Sequence, residues 1–229
     1  MAGRSSRRKG GGNERIQALV QEKLDEGLQY EALQLYRGVV SRKSARGDHD
    51  GAIAVAEKGI SCLLTAKGKG AGGGEEGCFA DSATELGNVL VGILNDNELA
   101  VTEERVEVIK RVNSCFQVAK TKQVLAEEDR RAAAQESESS PNGDLENDKP
   151  ARGTHSIGTL QARFLKPAIE WTAARGTRIN GDPGLCALMG RCLWNEGDTE
   201  RGTKYLVFGE RPQELCDLIV QDMPAGRAR

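Results

Sequence analysis

The chain has 229 residues, 38% hydrophobic and 4% aromatic, enough for one large domain or two small ones with a sizeable core. Its 32 basic and 34 acidic side chains leave a net charge of −2, which argues against a dedicated nucleic-acid binder. No apolar run approaches the roughly 20 residues of a bilayer-spanning helix, and no apolar stretch follows the basic start MAGRSSRRKGGG, so neither membrane insertion nor a secretory leader is expected.

Residues 1–13 read as a disordered basic tail. Ile16, Leu19, Val20 and Leu24 then recur at helical spacing, with Gly27 as a stop. Ala32, Tyr36, Val39 and Val40 predict a second helix running to Gly47. Ile53, Ala56, Ile60, Leu63 and Leu64 predict a third, which a glycine cluster ends. Phe79, Ala83, Leu86, Leu90 and Ile93 give a fourth. Val106, Ile109, Val112, Phe116 and Ala119 give a fifth, extended as a charged helix to about Ala134. The polar, acidic stretch 136–156 reads as a disordered insertion between helical repeats over 14–135 and 157–222. Helical pattern resumes with Ile157, Leu160, Phe164, Leu165, Ala168 and Ile169, and Pro167 should kink it. Asp182-Pro183 is a helix start, with Asp as N-cap and Pro at the first position. Two short helices around Tyr205 and Leu218 close the pattern before a disordered tail, 223–229.

Nine helices in short antiparallel pairs predict an all-α fold, a right-handed α-solenoid of tetratricopeptide-like units. A weak internal repeat agrees: Gln29-Tyr30-Glu31 with Tyr36 matches Asp198-Thr199-Glu200 with Tyr205 at a constant offset of 169. Tyr30, Ala32, Tyr36 and Tyr205 are thereby assigned to the turns of helix pairs. Solenoids expose long grooves, which points to partner binding.

Catalytic motifs fail on context. Gly68-Lys69-Gly70-Ala71-Gly72-Gly73 matches GxGxxG, but a helix precedes it where a dinucleotide site needs a strand. No two of the six cysteines have CxxC spacing, and His49 and His155 stand alone in polar sequence, so no metal site or cofactor is expected. Charge is uneven: residues 1–47 hold ten bases and five acids, a net +5 against −7 for the remainder. Four of those bases, Arg37, Arg42, Lys43 and Arg46, fall on the second predicted helix, which presents them rigidly.

The run Glu26–Arg42, EGLQYEALQLYRGVVSR, resembles the start of the Golgi to ER traffic protein 4 family, with its G-x-x-YEA-x-x-x-x-R turn between the first two helices. Lys58–Lys67 followed by a Gly-rich loop and Ala80-Asp81, the segment around Trp171, Gly181-Asp182-Pro183 with Leu185, and Glu196–Gly209 are similar to later family segments in the same order. The resemblance covers residues 14–222 apart from the insertion. It implies a cytosolic, non-catalytic adaptor in the post-translational targeting of tail-anchored proteins to the endoplasmic reticulum. It further implies that the N-terminal helices bind the targeting ATPase, with Arg42, Arg46 and Asp81 in or near the contact. The resemblance also brings a ubiquitin-like co-chaperone and a Bag-type chaperone scaffold as partners of the family's C-terminal part. Relatives continue with further helices where this sequence stops, so a C-terminally truncated solenoid is expected. A tetratricopeptide-like scaffold in another cytosolic chaperone or proteasome-assembly pathway is the alternative.

Overall fold

The computed structural model describes residues 11–66, 78–137 and 155–222. Among them are nine α-helices and no strand: α1 (Gly11–Asp25), α2 (Gln29–Ser44), α3 (His49–Thr65), α4 (Ala80–Asp96), α5 (Glu103–Ser137), α6 (Ile157–Arg175), α7 (Pro183–Asn195), α8 (Thr199–Phe208) and α9 (Pro212–Asp222). Most of the basic tail, the glycine-rich GxGxxG segment, nearly all of the acidic insertion and the tail 223–229 lie outside the described residues. α1 starts at Gly11 and α5 reaches Ser137, each a little beyond the bounds that apolar periodicity marks. The chain divides into two units, Met1–Leu90 and Val91–Arg229, with the division inside α4.

Tight turns follow one backbone recipe. Gly27, Gly47, Glu98, Gly197 and Glu210 all have positive φ. In each case the next N–H reaches back to a carbonyl five residues earlier: Leu28 to Lys23 (2.8 Å), Asp48 to Lys43 (3.0 Å), Leu99 to Leu94 (3.0 Å), Asp198 to Leu193 (3.0 Å) and Arg211 to Leu206 (3.2 Å). This is the Schellman arrangement, which satisfies carbonyls at a helix end and turns the chain into the next helix. Asp48 and Asp198 then cap the following helices by accepting from Gly51 N–H and Arg201 N–H. A small buried residue stands five positions after the positive-φ glycine in three cases, Ala32, Ala52 and Gly202, so the paired helices approach closely.

This recipe resets the register of the internal repeat. Gly27 corresponds to Gly197 and Leu28 to Asp198, an offset of 170. Tyr36, 3% exposed, therefore matches Leu206, 0% exposed, and not Tyr205. Tyr205 is half-buried and meets the Phe208 ring edge-on at 6.3 Å. Tyr30 is 68% exposed and packs little, whereas Ala32 is fully buried. Backbone geometry sets the equivalence of the turns; the shared tyrosines lie one residue off it.

In the first unit α2 and α3 pack together and bury Val39, Val40, Ile53 and Ile60, and Leu86 of α4 and Tyr36 of α2 both close on Gly59 of α3. Gly59 makes this possible: a Cβ there would lie 2.6 Å from Leu86 Cδ2 and 2.9 Å from the Tyr36 ring. In the second unit Phe116 of α5 stacks on Phe164 of α6 at 5.8 Å, beside a buried amide pair in which Gln161 donates to Asn113 (2.6 Å). α6 passes through Pro167 as one helix. The carbonyl that loses its partner to the ring belongs to Arg163, which is exposed, so water can satisfy it. α7 begins as expected, with Asp182 accepting from Leu185 N–H (3.0 Å) and Pro183 at its first position.

A three-way junction ties α5, α6 and the α7–α8 turn. Lys120 Nζ lies 2.5 Å from Glu196, and the hydroxyl of Ser156, the N-cap of α6, donates to the same carboxylate. Burial pushes the Glu196 carboxyl up, but Lys120 and Ser156 outweigh that and hold it below its ordinary value of 4.5. A carboxyl lowered on folding stabilises the native state above its unfolded pKa, and the contribution fades as pH falls through the folded pKa. The Glu196→Gln variant should therefore be less stable than the parent at neutral pH, with the gap narrowing at acidic pH, as the pH falls below the ordinary glutamate value. Urea midpoints at neutral and at acidic pH check this; a gap of equal size at both would sink it.

Candidate functional site

The residues singled out in the sequence lie in the first unit, and the fold gives them different tasks. Lys43 turns back across the α2–α3 turn to Asp48, Nζ to Oδ2 2.5 Å. The second oxygen of Asp48 accepts Gly51 N–H at 3.1 Å, and a Cβ on Gly51 would collide with that carboxylate at 2.3 Å. The hydrogen bond from Lys43 is the main reason the Asp48 carboxyl lies below its ordinary value. Lys43 is thus neutralised within the fold and half-buried, and it serves as a clip on the turn.

Arg37 is exposed and sits 3.7 Å from Glu85 of α4. Such a surface pair is worth about 0–1 kcal/mol. Asp81 is exposed one turn before Glu85 on the same helix, so α4 shows two carboxylates on the side that meets Arg37. Arg42 is exposed in the last turn of α2 and Arg46 in the turn after it; neither makes an ion pair among the described residues. Cations at this end also face the negative pole of the α2 dipole. The five charged residues and Glu85 thus divide into a mixed-charge patch (Arg37, Glu85, Asp81), two arginines without an ion pair among the described residues (Arg42, Arg46) and one structural lysine. Sequence reading missed Glu85 and the role of Asp48. Gly47-Asp48, a helix stop followed by an N-cap, was the available signal for the second; nothing local signals the first.

A shallow depression on the same unit is lined by Ile16, Gln17, Tyr36, Val39, Val55 and Lys58, and continues to Val20 and Cys62. Burial and the neighbouring Cys62 thiol raise the Tyr36 phenol, so it stays neutral. The lining offers neither a carboxylate nor an imidazole. No cluster of His, Cys, Asp or Glu among the described residues could hold a metal ion. Cys186 and Cys192 are buried and donate to backbone carbonyls of Asn180 and Gly158, and burial pushes both thiols up to about 11, far from a reactive thiolate at neutral pH. Among the described residues no helix is long and apolar enough to cross a membrane.

The family model described as Golgi to ER traffic protein 4 matches residues 46–228, most of the chain. The chain belongs to the Golgi to ER traffic protein 4 family. A crystal structure of C. therm. Get4 shares the fold, with a TM-score of 0.61 at 23% identity over 91% of this chain. The match covers 52% of that chain, so the present chain spans about half the length of the solved relative. It is thus an α-solenoid of the Golgi to ER traffic protein 4 type. Comparison with curated proteins gives no match. The family match begins at Arg46, so Arg37, Arg42 and Lys43 precede it.

Proposed function

We propose that the chain is a non-catalytic cytosolic adaptor in the post-translational targeting of tail-anchored proteins to the endoplasmic reticulum membrane. Its membership of the Golgi to ER traffic protein 4 family carries this reading. The N-terminal helices receive the targeting ATPase, and Arg42 and Arg46 are the cationic anchors of the contact, with Arg37 and Asp81 at its edge. Arg42 and Arg46 are exposed and make no ion pair among the described residues, which supports that role, because their charge is available to a second surface. Lys43 acts through the turn it clips. A ubiquitin-like co-chaperone and a Bag-type scaffold are the further partners of this reading, each to be assayed against the same chain.

The test is direct binding between the purified chain and the targeting ATPase. The double reversal Arg42→Glu/Arg46→Glu is expected to weaken affinity about tenfold or more at low salt, with parental affinity falling as salt rises. Its thermal midpoint should fall only slightly, by the exposed helix-dipole contribution of about 0.3–1 kcal/mol per charge, whereas Lys43→Glu should lower the midpoint further by placing a carboxylate against Asp48. Unchanged affinity of the double reversal at low salt would remove these arginines from the contact. Absence of any ATPase binding by the parent would remove the adaptor reading itself.

A further inference from the structure

Tyr30 is left without a structural task. Of the nine aromatic residues it alone is exposed, at 68%; the other eight are buried or half-buried. A tyrosine can bury about 150–250 Å², and this ring leaves most of that to solvent. Leu28, two residues earlier in the turn, is 40% exposed as well.

The start of α2 fixes where the ring stands. The Leu28 N–H bonds back to Lys23 and the helix opens at Gln29, so Tyr30 lies in its first turn. At 100° per residue, Arg37 and Ser41 fall within about 20° of the direction of Tyr30. Arg42 lies about 120° round the helix, on the other shoulder of its exposed face, and about 18 Å further along the axis. Ala32, Leu33, Tyr36, Val39 and Val40 are buried on the opposite side. Tyr30 and Arg42 therefore bracket one solvent-facing surface. Its middle is Gln34, Gly38 and Ser41, which bring neither charge nor apolar bulk. Gly38 keeps that middle low. A Cβ there would meet only the Arg42 guanidinium, at 3.4 Å, so packing within the fold does not demand a glycine.

Size then links the two ends. A standard interface covers about 800 Å² on each side, a disc about 30 Å across, so a contact that includes Arg42 extends as far as Tyr30. Tyrosine and arginine are also the residue types that carry most binding energy, while neutral residues around them exclude water.

We infer that Tyr30 is the aromatic anchor of the contact proposed for Arg42 and Arg46, its ring entering an apolar pocket of the targeting ATPase across the low middle of α2. The inference rests on the adaptor reading. The two ends do different work: the arginines steer the encounter and the ring holds the complex.

Association and dissociation rates of the full chain with the purified targeting ATPase, at low and high salt, test it. Tyr30→Ala should weaken affinity about tenfold or more, chiefly through faster dissociation. The factor should be the same at both salt concentrations, because apolar burial is not screened. Tyr30→Phe keeps the ring and should bind within about threefold of the parent. Neither variant should lower the thermal midpoint, since the residue is exposed. A Tyr30→Ala chain that binds within about threefold of the parent, a loss that vanishes in high salt, or a loss accompanied by a lower midpoint overturns the inference and leaves the adaptor reading intact. A parent that does not bind the ATPase removes both.

Discussion

Replacing Trp171 by alanine is expected to cost about 3–5 kcal/mol from the lost burial and the cavity left behind. The indole is 0% exposed and is among the largest fully buried side chains. Its N–H also donates to the Leu99 carbonyl at 3.0 Å, which fixes the turn between α4 and α5 next to the positive-φ residue Glu98. Alanine leaves that carbonyl without its donor, a further cost of about 1–3 kcal/mol where water cannot enter. A domain is stable by about 5–15 kcal/mol, so the second unit should be largely unfolded near body temperature. Trp171→Phe separates the two contributions, since it keeps much of the volume and loses only the donor. Urea denaturation followed by circular dichroism gives both values, and Trp194 remains as the sole tryptophan reporter in either variant. An alanine variant within about 1 kcal/mol of the parent would contradict the packing described here.

The helices were legible because their apolar residues repeat at helical spacing and their ends carry ordinary signals. Gly27, Gly47 and Gly197 mark stops, and Asp48, Asp182 and Asp198 mark starts. Two turns escaped such reading because glutamate occupies the positive-φ position in them. Glu98 and Glu210 carry no local signal for that conformation, which costs an L residue about 1–2 kcal/mol. Each glutamate is also ion-paired with an arginine at or just after the end of α6, Arg175 with Glu98 and Arg178 with Glu210. Those contacts span 77 and 32 residues of sequence and cannot be read from neighbours.

The charged face shows the same limit. Periodicity and composition placed Arg37, Arg42, Lys43 and Arg46 on one helical segment, and all four are basic and near its C-terminal half. Only tertiary geometry separates the arginine that meets Glu85 and the lysine that clips Asp48 from the two that make no ion pair among the described residues. Charge reversal at Lys43 and at Arg42 would look alike from sequence, but the first strikes the α2–α3 turn and the second strikes the surface.

Gly190 to alanine should destabilise the second unit although alanine favours helices by about 1 kcal/mol over glycine. A Cβ at Gly190 would stand 2.7 Å from Leu206 Cγ, 2.8 Å from the Leu206 backbone nitrogen and 3.0 Å from the Gly202 carbonyl. The reciprocal atom on Gly202 would lie 3.1 Å from the Gly190 carbonyl and from Trp194 N, and one on Gly209 would lie 2.7 Å from Ala187 N. Three glycines therefore bring the α7 and α8 backbones into direct contact. A side-chain tip could rotate away from an added methyl, but the Leu206 nitrogen belongs to α8 and moves only with the helix. Overpacking of this kind costs about 1–3 kcal/mol, more for a larger side chain, so Gly190→Val should exceed Gly190→Ala. Gly92 in α4 provides the contrast. A Cβ there meets only Asp96 Oδ2 at 3.9 Å, so Gly92→Ala should raise stability by up to about 1 kcal/mol. The same chemical change is thus expected to act with opposite sign at two helical glycines. Urea midpoints of the two alanine variants decide it, and two shifts of the same sign would show that helix propensity, not the α7–α8 contact, governs both positions.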